Sequence, residues 1–373
     1  MAMPETENPP PDLGRGPEHG PAQGHGSGIT VLLIADPGLL TRRAGALQDA
    51  LQARLDAAYG APVHLEVHTA MLRLRPDGTL DFAQALELAE SVGKPDAMLL
   101  LTEIPRLQDA RPLIAEIFPG QNVAVISGPT LGAIALRRRV LDALVSCAVR
   151  MIPPREPRDS TRKGRHWERW QDPVGPEGHQ MVLGSRVIGG ARTVVGMVAG
   201  NEPLRTAPRL SSAMAAAAAT GAFGIFYSSI WSMSMYLTTQ RLVNIGLLAM
   251  LTMTLWLILG NRLWDTPKHR SLSRVVLLYN LSTVLTLLMI VGLLYAGLVV
   301  LIFTSALIVI DPDYLAVTID NEVSWKRYLD IAWLSAAMGV VAGALGSSFD
   351  KDTDLRSLTH GQRERQRRYA EEE

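Results

Sequence analysis

Thirty-six consecutive residues, Val275 to Ile310, contain no Asp, Glu, Lys, Arg or His. Roughly twenty apolar residues cover the hydrocarbon core of a bilayer. The run is therefore too long for one upright crossing and only just long enough for two. It marks an integral membrane protein, and its threading sets the side on which the rest of the chain lies.

Three further stretches have the composition of spans: Ser211–Leu237, which opens with the small-residue run Ala213–Ala219, then Leu242–Gly260 and Leu329–Gly346. Arg262, Lys268, Arg270 and Arg274 lie between the second and third segments, which places that loop in the cytoplasm by the positive-inside rule. Beyond the long run, residues 311–328 hold Asp311, Asp313, Asp320 and Glu322 against Lys326 and Arg327. The C-terminal tail, 349–373, holds Lys351, Arg356, Arg363, Arg365, Arg367 and Arg368. The basic tail favours a cytoplasmic C-terminus, hence four spans with the third an overlong helix of about 54 Å, tilted or bent near Gly292–Gly297. Two crossings by the long run, giving five spans, is the alternative. The spans are expected to be uncharged, with Asn244, Asn280, Thr283, Thr286 and Thr304 as polar positions. Proton and ion pathways mark themselves with ionisable residues, so bonding between helices is the expected use of these groups. Gly339 and Gly343 form a GxxxG pattern that permits close helix packing, within the chain or between copies.

The first half reads as a cytoplasmic α/β domain, residues 29–151, after a Pro- and Gly-rich tail, 1–28, that contains His19 and His25 and is expected to be disordered. That tail has no apolar signal region. Ile29–Ala35 is an apolar run of strand length, as in a strand buried on both faces of a parallel sheet. Leu40, Ala44, Leu47, Leu51 and Leu55 mark a helical face. Val63–His68, Ala97–Leu101 and Val123–Ile126 read as further strands. Pro76-Asp77-Gly78 reads as the turn of a small hairpin, and Thr79 as the cap of a helix ending at Val92. A short helix over Pro112–Phe118 and a longer one over 131–151 complete a small parallel sheet, Rossmann-like or flavodoxin-like in outline.

Ligands of such folds sit beyond the carboxyl ends of the strands. Here those ends offer Asp36, Thr102, Glu103, Ser127 and Gly128. There is no GxGxxG fingerprint and no P-loop, and no cofactor is expected. Ser127-Gly128-Pro129-Thr130 has the makings of an anion-binding helix start or of an ordinary loop. His64, Glu66 and His68 alternate, so they share one face of their strand, either as zinc ligands or as the solvated side of an edge. Cys147, the single cysteine, reads as a packed thiol and excludes an internal disulfide or a CxxC site. Formal net charge is zero, so nothing in the global field favours nucleic acid as a partner.

Residues 152–210 read as a basic linker. Arg155, Arg158, Arg162, Lys163, Arg165 and Arg169 with Trp167 and Trp170 fit anionic lipid head groups. Val187, Ile188, Ala191, Val194, Val195 and Val198 mark one face of an interfacial helix, with a β-hairpin as the alternative. The partners expected are the bilayer, its anionic head groups, and a second copy of the chain; the expected location is the bacterial plasma membrane, with both termini cytoplasmic.

Three stretches of the second half carry a resemblance: VVGMVAGNEPLRTAPRLSSAMAAAAATGAFGIFYSSIW (Val194–Trp231), the YNLSTVLTLL core within Val276–Leu298, and Trp333–Phe349 ending in GALGSSF. They resemble an uncharacterised family of multi-pass membrane proteins of high-GC Gram-positive bacteria, some of whose members are labelled methylenetetrahydrofolate dehydrogenase. The resemblance implies membrane architecture. The label implies an NADP-dependent folate oxidoreductase, whose soluble forms use a Tyr-x-x-x-Lys pair. None of the eight tyrosines here is followed by Lys at the fourth position, and no active-site residue is carried over. Three functions follow as expectations: a membrane-anchored sensing or interaction domain first, then a membrane-bound enzyme, then a transporter or channel component.

Overall fold

The computed structural model describes residues 28–75, 80–154, 170–174, 178–266 and 273–346. The expected disordered tail, the hairpin turn at Pro76-Asp77-Gly78, the Thr79 cap, most of the linker arginines, Trp167 and the basic C-terminal tail lie outside these residues.

The first half is a mixed sheet with helices on both faces. Its strands are β1 (Ile29–Ala35), β2 (Val63–Thr69), β5 (Ala97–Thr102), β7 (Arg111–Phe118), β8 (Val123–Ser127), β9 (Trp170–Val174) and β10 (His179–Leu183). They run in the order β2-β1-β5-β8-β7-β10-β9, with β6 (Leu107–Gln108) paired to β7. β2, β1, β5 and β8 are mutually parallel, while β7 runs antiparallel to both β8 and β10. β3 (Arg73–Leu74) and β4 (Leu80–Asp81) form a small antiparallel hairpin.

Two corrections follow. Pro112–Phe118 is not a helix but most of β7, so the sheet is mixed rather than parallel. The stretch read as linker supplies β9 and β10, so the sheet continues past residue 151. Trp170 belongs to this core and not to a bilayer surface: its indole N–H donates to Ser146 Oγ at 3.0 Å, and the Arg150 guanidinium stacks 5.0 Å over its ring.

The helices explain why the central strands are apolar on both sides. α1 (Leu39–Tyr59) and α4 (Leu136–Met151) cover one face, burying Leu33, Leu99, Leu101 and Ile126 against Leu51, Leu55 and Leu144. Cys147 packs here too, fully buried. α2 (Ala83–Val92) and the hairpin cover the other face over Leu32, Ile34, Leu100 and Val125. α3 is a single turn, Gly128–Leu131, directly after β8.

From Arg186 onward every described element is helical: α5 (Arg186–Gly200), α6 (Pro203–Thr206), α7 (Ser211–Phe226), α8 (Ser228–Tyr236), α9 (Thr239–Gly260), α10 (Ser273–Val309), α11 (Pro312–Ile319) and α12 (Trp325–Gly346). Two of them, α9 and α10, are long and apolar enough to cross a membrane. α7 and α8 together make a third such segment, but they meet at 85° around Tyr227, so Ser211–Leu237 is not one straight span. All of the 36-residue run but its last residue, Ile310, lies within α10, one uninterrupted helix of 37 residues, about 55 Å long. α9 and α10 expose Leu248, Leu251, Leu259, Leu277, Val300 and Ile308, an outer surface that water penalises and lipid does not. Asp330, in the second turn of α12, is a formal charge inside the stretch expected to be uncharged.

α7 and α12 make the closest helix pairing. A β-carbon on Gly339 or Gly343 would run into the carbonyl oxygens of Ala217 and Ala213, and one on Gly224 into the Ser335 side chain. The GxxxG pattern therefore serves packing within the chain. Two polar positions of α10 bond to segments packed on it and not to another helix: Asn280 exchanges two 2.9 Å hydrogen bonds with the backbone of Asp265, beyond the end of α9, and Asn201 Nδ2, just past α5, donates to Thr286 Oγ1 at 2.9 Å; Thr304 Oγ1 donates to Val300 O within α10 itself.

Candidate functional site

The five strand-end residues do come together. Asp36, at the end of β1, is buried, and its carboxylate accepts three hydrogen bonds: from Leu72 N–H (2.9 Å), Thr102 Oγ1 (2.7 Å) and Glu103 N–H (2.8 Å). It thus ties the loops after β2 and β5 to the end of β1. Thr102 Oγ1 in turn accepts from Ile104 N–H, and Ser127 Oγ donates to Ile104 O at 2.7 Å. Thr130 Oγ1 donates back to Ser127 O. Gly128 is needed for packing, because a β-carbon there would press on the Leu40 side chain and on Thr102 O. Asp36, Thr102, Ser127 and Thr130 are at most 1% exposed. The side chains of Asp36, Thr102, Ser127 and Thr130 form a closed network of the kind that fixes loop geometry.

What closes it is α5, helical as the first of the two sequence readings has it, with one side lying over the sheet edge. Gly189 lies against the Pro112 ring at the start of β7. Gly196 lies so close to Pro129, beyond β8, that a β-carbon would overlap the proline carbonyl. Arg192 Nε donates to Thr130 O at 2.8 Å, and the arginine stem crosses Gly132 (φ +79). Just past α5, Glu202 pairs with Arg42 in the first turn of α1 and with Arg205 at 3.5 Å. α5 therefore runs along the carboxyl edge of the sheet from β7 to β1, and Asn201 then ties its end to Thr286 of α10. Burial lowers the pKa of Arg192, and Arg139 adds to that. Burial likewise lowers that of Arg43, with Arg42 adding and Glu202 and Glu103 opposing. The signal for this arrangement was the glycine spacing of α5, Gly189 and Gly196. Glycine there lowers helix propensity and so points to close backbone approach.

On the α2 side of the same edge, a shallow depression is lined by residues including Asp36, Met71, Asp81, Gln84 and Thr102. Its enclosed space holds about one water molecule.

Elsewhere, His64, Glu66 and His68 share the outer face of β2, an edge strand. The Glu66 carboxylate lies between the two imidazoles, 3.0 Å from His64 Nε2 and 3.2 Å from His68 Nε2. Hydrogen bonding to His68, then to His64, lowers its pKa. No group of three or more His, Cys, Asp or Glu side chains among the described residues is arranged to hold a metal ion. A second ionic cluster went unnoticed in the sequence because β7 was read as a helix. Glu116 on β7 is buried and paired with Arg106, with His179 Nδ1 3.5 Å away. Comparison with protein-family models, with curated proteins and with solved structures gave no match.

Proposed function

We propose that this is a multi-pass protein of the bacterial plasma membrane, whose cytoplasmic α/β domain serves sensing or partner binding and is coupled to the membrane helices through α5. The observation that carries the reading is the double engagement of α5. Its glycines sit on the loops at the carboxyl edge, where α/β folds bind ligands, and its end is bonded to α10. A ligand or partner that moved Pro129 or Arg42 would therefore push on a membrane helix. The unbroken α10 and the antiparallel packing of α7 on α12 support four crossings in a helical bundle, with both termini in the cytoplasm. The basic linker and tail suit anionic lipid head groups.

Hydrogen exchange on the full-length protein in lipid nanodiscs tests the coupling. Gly196→Leu should raise exchange at residues 128–132 and in α10 around Thr286 together; a change confined to 128–132 would sink the coupling. A reporter fused after Glu373 should signal from the cytoplasm. Turnover of NADP with a reduced folate by the full chain would replace this reading with an enzymatic one.

A further inference from the structure

α5 has three sides. One, with Gly189, Arg192 and Gly196, lies on the sheet edge. A second, with the buried Val194 and Met197, leads to Asn201 and its bond to α10. The third carries apolar side chains that the described residues leave largely open: Val187 is 82% exposed, Ile188 75% and Val195 47%. Ile134, 78% exposed, projects from the loop held under Arg192, and the exposed Arg137 and Arg138 follow it at the start of α4.

An exposed apolar helix face normally costs stability. This one lies on the edge of the sheet that faces the membrane helices. The helix that carries it is bonded to α10 through Asn201 and Thr286, and the face is bordered by arginines. We propose that this third face of α5, with Ile134, Arg137 and Arg138, rests in the head-group layer of the cytoplasmic leaflet and selects anionic lipid. The inference builds on the membrane insertion proposed above. Helices with apolar side chains on one face and cations beside them bind at this depth, and each arginine near an anionic surface adds to the attraction. The linker and tail arginines are not needed for it.

Cys147 is the single cysteine and is fully buried, so introduced cysteines carry a spin label selectively. Ile188→Cys and Val195→Cys would be labelled in the full-length protein. Leu251→Cys on the outer face of α9 serves as a lipid control, and Gln121→Cys, at the opposite edge of the sheet, as an aqueous one. In vesicles of phosphatidylcholine with one-quarter phosphatidylglycerol, relaxation by oxygen should exceed relaxation by a water-soluble nickel chelate at 188, 195 and 251, with the reverse at 121. Substituting Arg137 and Arg138 by Gln, or omitting phosphatidylglycerol, should shift 188 and 195 several-fold toward nickel and leave 251 unmoved. Nickel-dominated relaxation at 188 and 195 with 251 still in lipid overturns the inference alone. Nickel-dominated relaxation at 251 overturns the membrane reading beneath it. Protection of 188 and 195 from both reagents marks a protein neighbour, such as a second copy, and also overturns it. No dependence on phosphatidylglycerol or on the arginines removes the anionic selectivity.

Discussion

In the sheet half, Leu32, Leu33, Leu51, Leu99 and Leu101 are fully buried and fill the space between strands and helices. Across α7 and α12 the contact is made instead by Ala213, Ala217, Gly221 and Gly224 against Ser335, Gly339 and Gly343. Large side chains hold the first interface because water expels them. Lipid tails are as apolar as leucine, so helices inside a bilayer gain little by hiding leucines. They gain from backbones packed closely enough for dispersion to act. Accordingly Leu248, Leu251 and Leu259 of α9 point outward, while the glycines point inward. Position in the fold, not hydrophobicity, decides which residue is indispensable in each half.

The largest expected effect is at the sheet edge. Asp36→Ala strands three donors at once and should cost about 3 to 5 kcal/mol, read from urea unfolding of the full chain or from exchange of the Leu72 and Glu103 amides. Ser127→Ala, which removes one hydrogen bond, should cost about 1 kcal/mol. An Asp36→Ala protein of wild-type stability would mean that the carboxylate is not the clamp described. Leu99→Ala should then cost about 2 to 5 kcal/mol, whereas Leu251→Ala on the exposed outer side of α9 should stay within about 0.5 kcal/mol; equal losses would erase the contrast between the halves.

Among the glycines, Gly339→Val should destabilise the helices by about 1 to 3 kcal/mol or more. Gly292→Ala should be neutral or stabilising, since a β-carbon there meets only the Met250 sulfur at 4.0 Å. Thermal unfolding in detergent distinguishes the two.

Smaller effects come from titration. The Tyr59 hydroxyl is buried with no hydrogen-bond partner among the described residues, and burial, with Asp96 adding, pushes its pKa up to about 12. The raised value means that its contribution is intact below the ordinary 10 and is lost as pH rises through about 12. Tyr59→Phe should abolish that alkaline loss and add about 1 kcal/mol at neutral pH. Glu66, with its pKa lowered, works in the other direction: its contribution holds above the ordinary 4.5 and fades as pH falls below it. Glu66→Gln should flatten the acid side of a melting-temperature profile slightly, because the group is exposed.

How much was legible followed the range of the interactions. β1, β5 and β8 announced themselves as apolar runs, and β2 by alternation. Pro112–Phe118 carries the same apolar density without alternation, because β7 is covered on both faces, and a seven-residue run of that kind has no helical or strand period of its own. Its hydrogen bonds come from β8 and from β10, more than sixty residues further on. β9 and β10 were hidden for the same reason inside what looked like linker. The strand-end residues were identified by fold logic and do cluster, but their environment was not legible, since α5 arrives from more than fifty residues downstream to cover them.

By itself, then, the sequence determined what each segment's surroundings must be. An uncharged run of thirty-six residues needs a long helix out of water, and short apolar runs between amphipathic helices need a sheet covered on both sides. Those demands are local, set by the cost of exposing apolar groups and of leaving backbone groups unbonded. The tertiary structure decided which partners meet them. It made the long run one helix and not two, turned GxxxG inward against α7, and laid α5 over the strand ends. Each of these depends on contacts between residues far apart in the chain: glycine spacing records that a close approach is made, but no local pattern records the partner.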